Sequence, residues 1–187
     1  MKCDIRNFFA NIDHEILLNI LGKHIQDKDI LWLLGKIINS FETRPGASLP
    51  LGNLTSQLFV NIYMNEFDQF MKHKVKAKDY IRYADDFVVF SGDKKWLENQ
   101  LELITKFLSH NLKLELHPNK VFIKSLTSGV DFLGWINFLD HRILRTSTKR
   151  RMIKNMENGQ NQAKADSYLG LLRYGNTRKL KKEFFNR

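Results

Sequence analysis

The sequence predicts an α+β fold organised on an antiparallel sheet. Three observations carry the prediction. Apolar residues recur at three- and four-residue spacing through 14–22, 29–41, 55–72 and 96–108, the signature of helices with one buried face. Short β-prone runs lie between these stretches, at 2–9, 80–90, 112–116, 121–123 and 130–136. The two kinds of segment do not alternate in the βαβα rhythm that a parallel sheet requires.

Composition narrows the classes of function. A length of 187 residues suits one domain, or one domain with a small appendage. The net charge is +10, with Lys and Arg crowded toward the C-terminal end, which favours a polyanionic partner, nucleic acid first. Cys3 is the only cysteine, so an intrachain disulfide is excluded and a reducing compartment is allowed. The opening residues Met1-Lys2-Cys3-Asp4-Ile5-Arg6 lack the apolar segment of a signal peptide. No run of about 18 apolar residues is present to span a bilayer. The expected location is cytoplasmic, with no membrane partner.

The elements follow in chain order. Residues 2–9 read as a strand running into a turn. Asp13 is placed to cap a helix carrying Ile16, Leu17, Ile20 and Leu21 and stopping near Gly22. A second helix starts near Asp29 and carries Leu31, Leu34, Ile37, Ile38 and Phe41; most of these apolar residues are expected in the core. Pro45-Gly46 and Pro50-Leu51-Gly52 make 43–53 a loop. A long helix from about Thr55 to Lys72 aligns Phe59, Tyr63, Phe67 and Phe70 on one stripe. Asp93 caps the next helix. The strict alternation of Leu112-Lys113-Leu114-Glu115-Leu116 predicts a half-exposed strand, and His117-Pro118-Asn119 a turn. After Gly129, 130–136 reads as a strand or hairpin arm. Thr146-Ser147-Thr148 is placed to cap a helix opened by Lys149-Arg150-Arg151, 159–166 reads as a polar loop, and the end of the chain as small basic helices.

The chemistry concentrates at Tyr83-Ala84-Asp85-Asp86. Strand alternation sends adjacent carboxylates to opposite faces unless the chain turns between them, and a tight hairpin centred on Ala84-Asp85 provides that turn. Two acids beside a buried sheet repel and lose hydration, a cost that divalent cations relieve. Asp4 on the first strand supplies a third carboxylate if that strand lies beside the hairpin. Three such groups would make a two-metal site of hard oxygen ligands. A polar hairpin tip is the structural alternative. A zinc site fails for want of ligand spacing, and neither a nucleophile elbow nor a phosphate-binding P-loop is present.

The ordered set Asp4-Ile5-x-x-Phe8-Phe9, Leu51-Gly52-x-x-x-Ser56-Gln57, Tyr83-Ala84-Asp85-Asp86, His117-Pro118-x-Lys120 and Phe132-Leu133-Gly134-Trp135 resembles a reverse transcriptase. The resemblance implies a right-hand polymerase palm, an antiparallel sheet backed by helices, over 1–144, and the start of a helical thumb over 145–187. It implies RNA-directed DNA synthesis with two Mg²⁺ ions, Mn²⁺ being able to substitute. Its partners would be an RNA template, a DNA primer or cDNA, and deoxynucleoside triphosphates. Asp4, Asp85 and Asp86 resemble the metal-binding triad, and the main-chain carbonyl of Ile5 an additional ligand. Asn7 and Phe8 lie where backbone amides meet the triphosphate, and Phe9 resembles the gate against a ribose 2′-hydroxyl. Leu51, Gly52 and Gln57 would face template and nucleotide. Lys120 is similar to the lysine that protonates the leaving pyrophosphate, and Phe132, Leu133, Gly134 and Trp135 resemble the primer grip.

Two departures refine the resemblance. Where most of the family has Gln-Gly and Ser-Pro, this chain has Leu51-Gly52 and Ser56-Gln57, as diversity-generating retroelement enzymes do. Those enzymes copy RNA with frequent errors at adenines and work with a small helical accessory protein. The basic fingers expected before the first catalytic aspartate are absent ahead of Asp4, so the isolated chain is expected to polymerise poorly. The alternative is a catalytically inactive, truncated remnant that binds nucleic acid.

Overall fold

The computed structural model describes residues 1–157 and 162–185, which fall into two compact units, 1–123 and 124–187. The first unit is built on a three-stranded antiparallel sheet. Strand β1 (Lys2–Asp4) and strand β2 (Asp79–Tyr83) flank a central strand β3 (Asp86–Phe90). In this central strand Phe87, Val88 and Val89 form a continuous buried run rather than an alternating one, so side chains on both of its faces are covered. Main-chain bonds continue beyond the named strands: Phe122 pairs with Lys2, and Leu116 with Ile5.

Helices α1 (His14–Gly22), α2 (Lys28–Ile38), α3 (Leu54–His73) and α4 (Lys94–Leu112) complete the unit. The capping expectations for α1 and α4 hold. Asp13 Oδ1 accepts from Ile16 N at 3.0 Å, and Asp93 Oδ1 from Trp96 N at 3.0 Å. The aromatic stripe of α3 is core: Phe67 packs edge-on to Phe87 of β3, ring centroids 5.0 Å apart, while Phe70 stacks on Phe107 of α4 at 4.1 Å. Tyr63, buried at the centre, donates its hydroxyl hydrogen bond to the Leu112 carbonyl at 2.7 Å. These contacts fix α3 and α4 behind one face of the sheet.

The expected core face of α2 holds for most of its residues: Ile38 is buried and Leu31 and Leu34 pack against the core, while Ile37 and Phe41 are exposed, as are Ile30, Trp32 and Leu33. One expectation changes here. The alternation at 112–116 is real in burial, Leu112 and Leu114 being inside and Lys113 and Glu115 outside. It nevertheless yields no strand of its own, because Leu112 ends α4 and Lys113 turns the chain in the left-handed region at φ 49°.

The second unit holds a separate antiparallel sheet of β4 (Val130–Phe132), β5 (Trp135–Asn137) and β6 (Arg142–Leu144) in that order. Phe132 pairs with Trp135, leaving Leu133 and Gly134 as a two-residue hairpin loop with φ of 53° and 82°. Positive φ at both loop positions is the twist-matched hairpin turn, and the glycine is suited to it. Helices α5 (Thr146–Glu157), α6 (Gln162–Leu172) and α7 (Arg178–Phe185) follow, enclosing Trp135, Leu144, Met152, Leu172 and Leu180. Helix α5 starts at Thr146, so the trio expected as a cap lies inside the first turn. Of the loop expected at 159–166, residues 162–166 are helical, Ala163 and Ala165 favouring that state, and 159–161 lie outside the described residues.

Candidate active site on the sheet face

The hairpin turns where the sequence predicts. Tyr83 pairs with Asp86, and Ala84-Asp85 is the two-residue loop between them. Ala84 takes the left-handed conformation, φ 51°, a strained choice for a residue with a Cβ. Asp4 on β1 is the direct cross-strand partner of Asp86 on β3. Directly opposed residues of an antiparallel pair project from the same face, so the two carboxylates are neighbours. Asp85 sits in the adjoining loop, and its carbonyl accepts from Ile5 N at 3.1 Å. The first strand and the hairpin are thus stitched together at the acids.

The electrostatics reflect this proximity. Burial pushes the Asp85 carboxyl above its ordinary value, and Asp4 beside it pushes in the same direction. Burial also raises Asp86, with Asp4 and Asp85 adding to the effect and Lys2 opposing it. Two lysines face the acids. Lys120 Nζ donates to both Asp4 oxygens at 3.1 and 3.3 Å, and Lys2 Nζ stands 3.3 Å from Asp86 Oδ1. The Lys2 contact is an ion pair without hydrogen-bond alignment, and Asp86 Oδ1 is a buried oxygen with no aligned donor.

The family resemblance implies a divalent cation here. Carboxylate oxygens are the hard donors Mg²⁺ takes, and an unsatisfied buried oxygen is a place for a positive charge. Among the described residues, however, no group of three His, Cys, Asp or Glu side chains closes into a metal cage. Such carboxylates would suit an ion that takes only part of its ligands from the protein, as Mg²⁺ commonly does, rather than an all-protein cage.

The other expected residues are placed as follows, each within its own unit. Asn7 is exposed with φ 46°, and Phe8, buried, follows in the right-handed helical region. Phe9 is half-buried, its ring edge-on to Phe8 at 5.5 Å. The Phe9 carbonyl accepts from Leu49 N at 2.9 Å and the Ile12 carbonyl from Ser48 N at 2.9 Å. The loop leading to Leu51 and Gly52 is thereby tied to the turn after β1. Leu51 is 78% exposed, Gly52 has φ 92°, and Gln57 is exposed on the first turn of α3. In the second unit, Phe132, Leu133, Gly134 and Trp135 form one hairpin end, where the Gly134 carbonyl accepts from Arg145 N at 3.0 Å.

Residues 1–137 match the family described as Reverse transcriptase (RNA-dependent DNA polymerase). The chain belongs to the reverse transcriptase family. Protein YkfC of Escherichia coli strain K12 is 27% identical over 184 residues, covering 78% of this chain and 47% of YkfC. The group II intron-encoded protein LtrA of Lactococcus lactis subsp. cremoris is 24% identical, covering 79% of this chain and 35% of LtrA. The Retron Ec73 reverse transcriptase of Escherichia coli is 27% identical over 137 residues, covering 65% of this chain and 42% of the retron enzyme. This reverse transcriptase chain thus spans less than half the length of those relatives. Among solved structures, apo telomerase from Candida tropicalis, truncated from its C-terminal domain, aligns with a TM-score of 0.48 at 14% identity, covering 76% of this chain and 33% of the telomerase.

Sequence reasoning missed Lys2 at this site. The signal was available, since Lys2 lies two residues before Asp4 on the same strand and so on the same face. It also missed Arg82 and Asp68, which meet behind the hairpin: Arg82 donates to the Asp68 carboxylate through Nε at 2.8 Å and Nη2 at 2.6 Å. No sequence spacing connects a helix residue to a strand residue fourteen positions on.

Proposed function

We propose that this chain carries the catalytic palm and the start of the thumb of an RNA-directed DNA polymerase that makes cDNA by two-metal nucleotidyl transfer. The observation that carries the reading is Asp4 opposed to Asp86 across β1 and β3, with Asp85 in the adjoining loop. In this reading residues 1–144 act as palm and 145–187 as thumb.

Asp4, Asp85, Asp86 and the Ile5 carbonyl would hold two Mg²⁺ ions. When bound, such ions lower the pKa of the primer hydroxyl and neutralise charge on the departing phosphate. The protein's own groups do the rest. Positive φ at Asn7 followed by the right-handed conformation at Phe8 is the backbone alternation of an anion-binding nest, which supports main-chain binding of the triphosphate. The Phe9 ring, held edge-on by Phe8, blocks a 2′-hydroxyl and selects deoxynucleotides. Lys120, half exposed and bonded to Asp4, leaves that carboxylate to give a proton to pyrophosphate. The 132–135 hairpin end steadies the primer, and Lys149, Arg150, Arg151 and Lys154 on α5 meet duplex phosphates.

The finer reading is an error-prone enzyme of a diversity-generating retroelement. An exposed apolar Leu51 offers no hydrogen bond to fix a templating base or its nucleotide, so pairing errors are less strictly rejected. Its partners would be template RNA, primer or cDNA, and a small helical accessory protein attracted by the basic surface; its location would be cytoplasmic. Among the described residues no helix is long and apolar enough to cross a membrane.

Asp85→Asn tests the reading. Primer extension with magnesium should be abolished while salt-dependent RNA binding stays largely intact. The second reading, a nucleic-acid-binding remnant without catalysis, is favoured by the lysines paired to Asp4 and Asp86. It wins if the unaltered sequence, within its complete polypeptide, binds RNA but never extends a primer.

A further inference from the structure

The hairpin loop that presents Asp85 is held in an unfavourable conformation, and the structure contains the means of holding it. Ala84 at φ 51° costs strain that persists only where the surroundings over-determine it. The two peptide groups flanking Asp85 are both anchored. The carbonyl on its far side, Asp85 O, accepts from Ile5 N at 3.1 Å. The carbonyl on its near side, Ala84 O, accepts from Arg82 Nη1 at 3.1 Å. Arg82 is itself immobilised: its other two nitrogens grip the Asp68 carboxylate of α3 at 2.8 and 2.6 Å, and the Tyr80 hydroxyl donates to the same carboxylate at 2.7 Å. The Arg82 side chain is only 9% exposed. A planar guanidinium with a fixed fork can satisfy a bidentate carboxylate on one edge and a carbonyl with its remaining donors. A lysine at this position lacks that geometry.

We propose that Arg82, aimed by Asp68 and Tyr80, is a positioning residue that fixes the Ala84 carbonyl and so sets where the Asp85 carboxylate points. The proposal deepens the polymerase reading and rests on it for its catalytic consequence. Its structural half stands on the hydrogen bonds alone. Arg82 touches no reacting atom; its effect passes through the loop.

Three readouts test the proposal, on the unaltered chain, Arg82→Lys and Asp68→Asn. The first is hydrogen exchange in a peptide spanning residues 83–87, which reports loop fixation independently of catalysis. Both variants should exchange about tenfold faster there, with exchange in α1 unchanged. The second is Mn²⁺ binding followed by electron paramagnetic resonance. The half-saturating concentration should rise about tenfold, as an ill-aimed ligand predicts. The third is primer extension by the complete polypeptide carrying each change. Turnover should fall about tenfold to a hundredfold, the scale for sub-ångström to ångström misplacement, with the nucleotide KM within about twofold. The double variant should lose no more than the worse single one, because the two residues act as one unit. Unchanged loop exchange in Arg82→Lys overturns the proposal outright. Faster exchange with unaltered Mn²⁺ affinity and turnover overturns its catalytic half. If the unaltered chain binds no Mn²⁺ and its polypeptide extends no primer, the polymerase reading fails, while the exchange result still decides whether Arg82 fixes the loop.

Discussion

The two faces of the hairpin treat carboxylates in opposite ways. Behind it, Asp68 meets a bidentate arginine and a tyrosine hydroxyl. Burial alone lowers the Arg82 pKa, yet the Asp68 pair more than offsets it and the net shift is upward. On the front, Asp85 and Asp86 are raised by burial and by Asp4 beside them, with Lys2 opposing, and Asp86 keeps an oxygen without an aligned donor. The Asp68 charge is answered within the protein, whereas the front acids are left partly unanswered, the environment in which functional carboxylates are often found. Proximity in sequence does not separate the two faces, since Arg82 at the back and Asp86 at the front lie four residues apart.

The comparison breaks most decisively at the front. Asp86→Asn should cut primer extension by at least about a hundredfold, as loss of one electrostatic partner of a transition state does. An unchanged rate would place Asp86 with the structural acids. At the back, Asp68→Ala leaves the Arg82 charge buried and unpaired, which destabilises by about 3 kcal/mol, measured by urea unfolding. A smaller effect, away from the hairpin, is expected at the α1 cap. Burial raises the Asp13 carboxyl, but the Lys113 hydrogen bond and the Ile16 N–H outweigh it and the net shift is downward. Its contribution is therefore present above the ordinary carboxylate value and is lost as pH falls through the lowered one. Asp13→Ala should cost about 1 kcal/mol at neutral pH.

The sign reverses for the front-face acids. A raised carboxyl favours folding only while protonated, so its stabilisation is complete below the ordinary value of 3.8 and is lost as pH rises through the raised one. Without added metal, Asp86→Asn should melt higher than the unaltered chain at neutral pH, and the difference should vanish on acidification. A variant that melts lower at pH 7 would contradict the unanswered charge. The smallest stability effect is expected from Leu51→Gln, within about 0.5 kcal/mol at so exposed a side chain. It should nevertheless lower misincorporation opposite adenine if the polymerase is error-prone. Equal error spectra would remove the diversity-generating assignment.

The legible parts of the sequence were those governed by local rules. Asp13 and Asp93 as caps, the α3 stripe and the turn at Ala84-Asp85 each follow from residue type and spacing. The neighbourhood of Asp4 and Asp86, 82 positions apart in the numbering, was reachable only through the ordered family motifs. The illegible parts depend on what packs where. The apolar residues of α2 mark a helical face and give no hint that Leu31, Leu34 and Ile38 meet the core while Ile37 and Phe41 stay exposed. Lys113 ends a helix inside an alternating pattern because a left-handed residue there is a tertiary choice. The polar stretch at 162–166 reads as loop by polarity, although its alanines favour helix.

Cys3 gives the chain a built-in clock. It is the sole thiol, wholly buried on the strand that carries Asp4, and burial pushes its pKa up to about 12. A thiol so placed is inert to alkylating reagents until β1 lifts from β3, so the labelling rate counts how often the first carboxylate leaves its neighbour. Ions or nucleotides that bridge the two strands should slow that rate in proportion to their occupancy, without any need for turnover.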